Sequence, residues 1–197
     1  VVSDRTDYRT RRLSYPRKRA GSWCGVTRLP ARMAEIKSMS EQRRSDQVIL
    51  FLGQGLGLGR IPFAPGTVGT LPGLLLVWVF WQGESEIYLA LTAVVTLSAV
   101  WIAGRSAESL GVADDPRIVI DEIAGVLVAF ALVPPSGLAL VVGFCVFRIL
   151  DIAKPPPIST ADRQVKGGLG IVLDDVLAGI GTNLVLQLLF RILGVGV

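Results

Sequence analysis

From Val48 onward the chain alternates long apolar runs with short polar breaks. Five runs stand out, at 67–83, 87–103, 118–133, 137–150 and 171–193. Their sustained length predicts helices, although a short β-branched stretch such as Ile118-Val-Ile120 leaves a strand open there. Thr67, just after Pro65-Gly66, is the expected N-cap of the first. The predicted class is all-α: a compact multi-helix bundle, membrane-embedded, behind a disordered basic N-terminal tail. The expected division is a leader over 1–47 and a helical domain over 48–197.

Each run falls short of, or barely reaches, the roughly 20 apolar residues of a full span. The connections therefore supply a second test. With the N-terminus inside, the loops ending at Pro65, over 104–117 and over 151–170 share one side. They carry Arg60, Arg105, Arg117, Arg148, Lys154, Arg163 and Lys166, leaving Arg191 near the other end. That is the positive-inside pattern. In the last run Asp175, Ala178, Gly179, Thr182 and Asn183 recur at helical spacing. Such a small, polar stripe suits close helix packing, in lipid or in any bundle.

Composition agrees with an apolar setting. Of 197 residues 51% are hydrophobic and 18% charged, with mean hydropathy +0.55, on the apolar side of soluble usage. The net charge of +4 hides a split, since residues 1–47 hold 12 Lys/Arg against 5 Asp/Glu and leave 8 against 11 beyond. A basic leader could meet nucleic acid or anionic lipid, but the expectation is a disordered segment, or sequence upstream of a start at Met33 or Met39. No nucleic-acid partner is expected. The leader lacks a secretory apolar stretch, and a mitochondrial transit peptide is the lesser alternative. Cys24 and Cys145 make neither a disulfide framework nor a zinc cluster, and Cys145 reads as core. The sequence sets no oligomeric state.

With no histidine, Ser-His-Asp and Cys-His mechanisms and a phosphohistidine are excluded. Acid, base and metal work falls to carboxylates, hard oxygen ligands that suit magnesium. Asp121-Glu122 and Asp174-Asp175 each sit between apolar neighbours, where adjacent carboxylates either hold a cation or share a proton. A surface pair at a helix start is the plainer alternative. Asp151 follows Arg148 by three residues on one helix face, as a catalytic group or a helix-end ion pair.

Beyond it come Lys154-Pro-Pro-Pro157, Asp162-Arg163 and Lys166-Gly-Gly-Leu-Gly170. This is a candidate anion cradle, in which Gly167 and Gly168 admit phosphate to backbone N–H groups and Lys154, Arg163 and Lys166 neutralise its oxygens. A second candidate, Gly53-Gln-Gly-Leu-Gly-Leu-Gly59 with Pro62-Phe-Ala-Pro-Gly-Thr67, adds Thr67 to the substrate-binding set. Alone, that glycine run reads as a connector, for it lacks the Gly-Lys-Ser/Thr of a phosphate loop and any βαβ context. Asp114-Asp115-Pro116 reads as turn chemistry.

Taken in order, Pro62-Phe-Ala-Pro-Gly-Thr-Val-Gly69, Ile120-Asp-Glu-Ile-Ala-Gly125, Phe147-Arg-Ile-Leu-Asp-Ile-Ala-Lys-Pro155, Asp162-Arg163 and Lys166-Gly-Gly-Leu-Gly-Ile171 leading to Asp174-Asp-Val-Leu-Ala-Gly179 resemble the phosphatidylglycerophosphatase A family. The resemblance covers roughly 52–189. It implies a magnesium-dependent hydrolase of the bacterial inner membrane, facing the cytoplasm, that converts phosphatidylglycerophosphate to phosphatidylglycerol and phosphate. By analogy Asp121, Glu122, Asp151, Asp174 and Asp175 form the catalytic metal shell, and Arg148, Lys154, Arg163 and Lys166 surround the phosphate. Two positions depart from the pattern. Lys166 stands where relatives often carry histidine, and Pro156 where they carry an aromatic. Attack by water or by an aspartate both stay open. The rival reading is a small membrane carrier or ion-binding bundle, which would need ionisable groups near the midplane.

Overall fold

The computed structural model describes residues 29–113 and 115–193. It comprises two units, one ending at Ser40 and one running from Glu41. Seven α-helices and a 3₁₀ turn make up the described residues, with no strand: α1 Leu29–Gly53, the 3₁₀ turn Leu58–Arg60, α2 Pro65–Phe80, α3 Ser85–Leu110, α4 Ile120–Ala129, α5 Gly137–Ala153, α6 Ile158–Gln164 and α7 Gly167–Ile192. The all-α expectation holds.

Boundaries moved for identifiable reasons. Helix begins at Leu29, inside the stretch expected to be disordered. From Ala31 to Leu52 that sequence has neither glycine nor proline and is rich in helix formers. Cys24 and the chain before Leu29 lie outside the described residues, as does Asp114. Helix α2 starts at Pro65, with Ala64 as N-cap, so Thr67 lies inside the helix instead of capping it. Proline suits that first position, where its missing N–H costs nothing. Helix α3 continues past 103 to Leu110, helped by Arg105, which pairs with Glu108 one turn on and with Asp46.

Helix α4 is the centre of the second unit. Ile123, Ala124, Val126, Leu127 and Ala129 are all buried, and α2, α3, α5 and α7 pack around it. It spans only ten residues, so its last carbonyls must find partners without water. The Tyr88 hydroxyl of α3 donates to Leu127 O at 2.7 Å. Asn183 Nδ2 of α7 donates to Ala129 O and Ala131 O at 3.0 and 2.7 Å. These side chains close the helix end that would otherwise carry unpaired acceptors.

Helices α4 and α7 approach through glycine. A Cβ on Gly125 would lie 2.6 Å from Asp175 O, and one on Gly179 would collide with Gly125 O. The stripe Asp175, Ala178, Gly179, Thr182 faces inward at this contact. Helices α3 and α7, of 26 residues each, are long and apolar enough to cross a membrane. Only 22% and 44% of their apolar windows are buried within the protein, whereas a soluble core helix would be covered. Cys145 faces outward, along with Val141, Ile149 and Ile152, so the core expectation for it is corrected. Its run is apolar all round, and hydropathy cannot tell a core face from an outer one.

Candidate active site

The N-terminal ends of α2, α4 and α7 and the C-terminal end of α5 meet at one end of the second unit. There they enclose a cavity of about 570 Å³. Three helix N-termini point their partial positive charge toward it, a setting that favours anions. Asp121, Glu122, Arg148, Asp151, Lys154, Arg163, Lys166, Gly167, Asp174 and Asp175 all line it. Two residues of the expected set do not. Thr67 points elsewhere on α2, and Gly168 is a packing contact: a Cβ there would collide with Val100 O and lie 2.8 Å from Gly104 N of α3. The 53–59 glycine run is likewise absent from the cavity. Gly59 packs on the Arg117 carbonyl, which a Cβ would strike.

The charges are organised in two clamps. Arg148 Nη1 donates to Glu122 Oε1 at 3.1 Å and to Asp151 Oδ2 at 2.5 Å, so the Arg148–Asp151 helix-end pair is real and also lines the cavity. Lys154 Nζ bridges Asp162 Oδ1 at 3.0 Å and Asp174 Oδ2 at 2.5 Å. Burial works against its charge, but the hydrogen bonds to Asp174 and Asp162 outweigh that and hold the ammonium above its ordinary value. Lys154 is therefore a permanent cation and no base. It closes α5 in the left-handed region, at φ 41°, a conformation costly for a non-glycine residue and typical of sites where geometry is over-determined.

Three groups carry site roles that the sequence did not assign to them. Asp162 completes the Lys154 clamp. Gly66 lies directly beneath Glu122 Oε1 and Arg148, since a Cβ would strike the former and come within 3.0 Å of Arg148 Nη2. Thr70 shares its hydroxyl proton between Gly66 O at 2.8 Å and Glu122 Oε2 at 3.3 Å. The Pro65-Gly66 pair was the only available signal, and it reads equally as a turn. At the rim Asp115 accepts from Arg117 Nε and Nη2 at 2.8 and 2.7 Å and from its backbone N–H at 3.0 Å. These bonds, the side-chain pair foremost, hold its carboxyl below the usual range.

The remaining polar atoms are unspent. Asp174 Oδ1 and Arg148 Nε are buried without a hydrogen-bond partner. Among the described residues Asp121 and Asp175 make no ion pair, although Asp175 lies within electrostatic reach of Asp121, Asp151, Asp174 and Glu122. Arg163 and Lys166 are exposed at the mouth and likewise unpaired. No three of the described acidic or thiol side chains form a ready-made coordination shell. Seven carboxyl groups line the cavity against four basic groups, and Asp115 is matched by Arg117 at the rim.

Comparison with known proteins places this arrangement. Over 134 residues the chain is 36% identical to phosphatidylglycerophosphatase A of Escherichia coli, covering 66% of this chain and 76% of that protein. It is 38% identical to the Haemophilus influenzae phosphatidylglycerophosphatase A over 134 residues, covering 67% and 82%. A Bacteroides thetaiotaomicron protein provisionally named a phosphatidylinositol-3-phosphatase is 32% identical over 152 residues, covering 70% and 91%. No solved structure matches the chain. The family model for phosphatidylglycerophosphatase A matches residues 51–190, a span that contains every residue of both clamps and of the cavity. The chain thus belongs to the phosphatidylglycerophosphatase A family and is a phosphoric monoester hydrolase.

Proposed function

We propose that the enzyme hydrolyses phosphatidylglycerophosphate to phosphatidylglycerol and phosphate, with magnesium, at the cytoplasmic face of a bacterial inner membrane. The observation that carries this reading is the charge layout of the cavity. Unpaired cations Arg163 and Lys166 stand at its mouth, while Asp121, Asp174 and Asp175, none of them held by an arginine, line the interior, with Asp174 Oδ1 lacking any donor. A phosphate ester would add anionic oxygens beside these acids, so the site suits a cation as well as an anion. The orphaned Asp174 Oδ1 supports this directly, because a buried carboxylate oxygen without a donor is costly unless a cation meets it.

The residues fit magnesium, which binds through one or two carboxylates together with water and substrate phosphate and requires no closed protein cage. One or two of Asp121, Asp174 and Asp175 would hold it, whereas Glu122 and Asp151 are committed to Arg148. When bound, magnesium supplies Lewis-acid polarisation of the phosphoryl group and a water of lowered pKa. The chain's own groups do the rest. Arg148, kept in place by Glu122 and Asp151, sets a fixed positive charge at the cavity wall against developing negative charge. Lys154 steadies Asp174, and Arg163 and Lys166 draw the anionic headgroup in. Exposed apolar side chains along α3 and α7 support their contact with lipid. The basic residues gathered at the site end support a cytoplasmic orientation for it.

The purified enzyme in detergent should release phosphate from phosphatidylglycerophosphate, fall silent in excess chelator and recover with added magnesium. Full turnover in chelator would overturn the metal assignment. Faster turnover of phosphatidylinositol 3-phosphate would overturn the headgroup assignment. Exposure of Lys166 to a membrane-impermeant amine reagent only from the cytoplasmic side would support the orientation.

A further inference from the structure

Helices α2 and α3 both pack on α4 but scarcely touch one another. The space between them is a groove of about 380 Å³, floored by Ile120 and Ile123 of α4 and walled by residues such as Pro72, Leu75, Val94 and Ser98. Ser98 contributes its only polar side chain. Leu75 and Val94 are 64% and 60% exposed, so the groove opens outward on the lipid-facing side.

We propose that this groove binds an acyl chain of the phospholipid whose phosphate ester occupies the polar cavity. The inference rests on the lipid-phosphatase reading above and specifies how that substrate is held. Three observations point to the substrate's own chain as occupant. First, the groove and the cavity share the first turn of α4: Ile120 and Ile123 face one, Asp121 and Glu122 the other. Second, both use α2. Gly66 lines the cavity, and Pro72 and Leu76, six and ten residues further, line the groove, about 9 and 15 Å deeper at the helical rise of 1.5 Å per residue. A headgroup layer is about 5–8 Å deep, so a lipid with its phosphate at Gly66 has its chain at that level. Third, Leu75 and Val94 stand exposed at its edge, so a chain could enter laterally without leaving the hydrocarbon.

The test compares dioleoyl phosphatidylglycerophosphate with its deacylated headgroup, glycerophosphoglycerophosphate. Val94→Trp and Ser98→Trp fill the groove from exposed α3 positions outside the polar cavity. Each should raise KM for the diacyl substrate about tenfold, the loss of roughly two buried methylenes, while turnover of the deacylated substrate stays unchanged. Equal losses on both substrates, or none on either, would overturn the proposal. If the wild-type enzyme hydrolyses neither substrate, the lipid-phosphatase reading itself fails and the groove assignment with it. Independently, a substrate analogue with a diazirine in its acyl chain should label peptides containing 72–76 and 94–102, and excess unlabelled substrate should suppress that labelling. Labelling that substrate does not compete away would mark ordinary bilayer lipid and count against the proposal.

Discussion

Replacing Gly125 by alanine tests whether backbone contact between α4 and α7 sets the active site. The added Cβ would stand 2.6 Å from Asp175 O and 2.8 Å from Phe147 Cε2, so α4 and α7 must part by roughly 0.8 Å to regain ordinary contact at 3.4 Å. The obstructing atom is a main-chain carbonyl and cannot swing aside. Overpacking of this kind costs about 1–3 kcal/mol, and the gain in helix propensity returns about 1 kcal/mol. The protein should therefore stay folded with a modestly lowered melting temperature. Activity should suffer more, because Asp121 rides on α4 and Asp174 and Asp175 on α7. In the proposed magnesium site, metal–oxygen bonds of about 2.0–2.1 Å would leave little slack, and misplacement near 1 Å costs about 100-fold in rate. Phosphate release from lipid in mixed micelles, with thermal melting followed by circular dichroism, measures both effects. Gly137→Ala, where a Cβ meets nothing within 4 Å, is the matched control and should be neutral. Activity of Gly125→Ala within about threefold of wild type, under 1 kcal/mol of transition-state stabilisation, would refute the reasoning.

Lys154→Ala strips Asp174 of its donor, leaving a side chain only 9% exposed. With Lys154 itself 30% exposed and so partly screened, the cost should be about 1–3 kcal/mol, read as a lower melting temperature alongside lost phosphate release. Tyr88→Phe leaves Leu127 O without its partner and should cost about 1–2 kcal/mol, with turnover unchanged because no residue of the cavity is touched. The Asp115–Arg117 pair predicts acid sensitivity. A carboxyl lowered in the folded chain contributes stability that is complete above its unfolded pKa of about 3.9 and disappears as pH falls through the lowered folded value. Arg117→Gln should flatten that acid limb in thermal melts between pH 5 and 2, and an unchanged limb would exclude the pair as its source.

Much of this architecture was legible in the sequence. The five apolar runs became α2, α3, α4, α5 and α7, and the acidic pairs landed in one cavity because each lies in the first three turns of a helix that starts at the same end. Periodicity could not say where an apolar helix stops. Helix α4 ends at Ala129 instead of 133 because Tyr88 and Asn183, remote in sequence, accommodate its carbonyls. Spacing placed Lys154 and Asp162 in one segment but could not show that they pair across the proline turn. Glycines misled in both directions. Gly168, expected in a phosphate cradle, and Gly59, in a run that reads as a connector, are points of backbone approach, whereas Gly66, next to the expected N-cap, lies beneath Glu122 and Arg148.

The shortness of α4 has a consequence for how the protein meets its solvent. A ten-residue helix is about 15 Å long, half a hydrocarbon core, and its blunt end is tethered by side chains of α3 and α7. If α3 and α7 cross the bilayer as proposed, differences in its thickness would be met by their tilt, with the acidic floor carried along as a passenger fixed to them. Membranes of unequal depth would then present the same reaction chamber to the lipid.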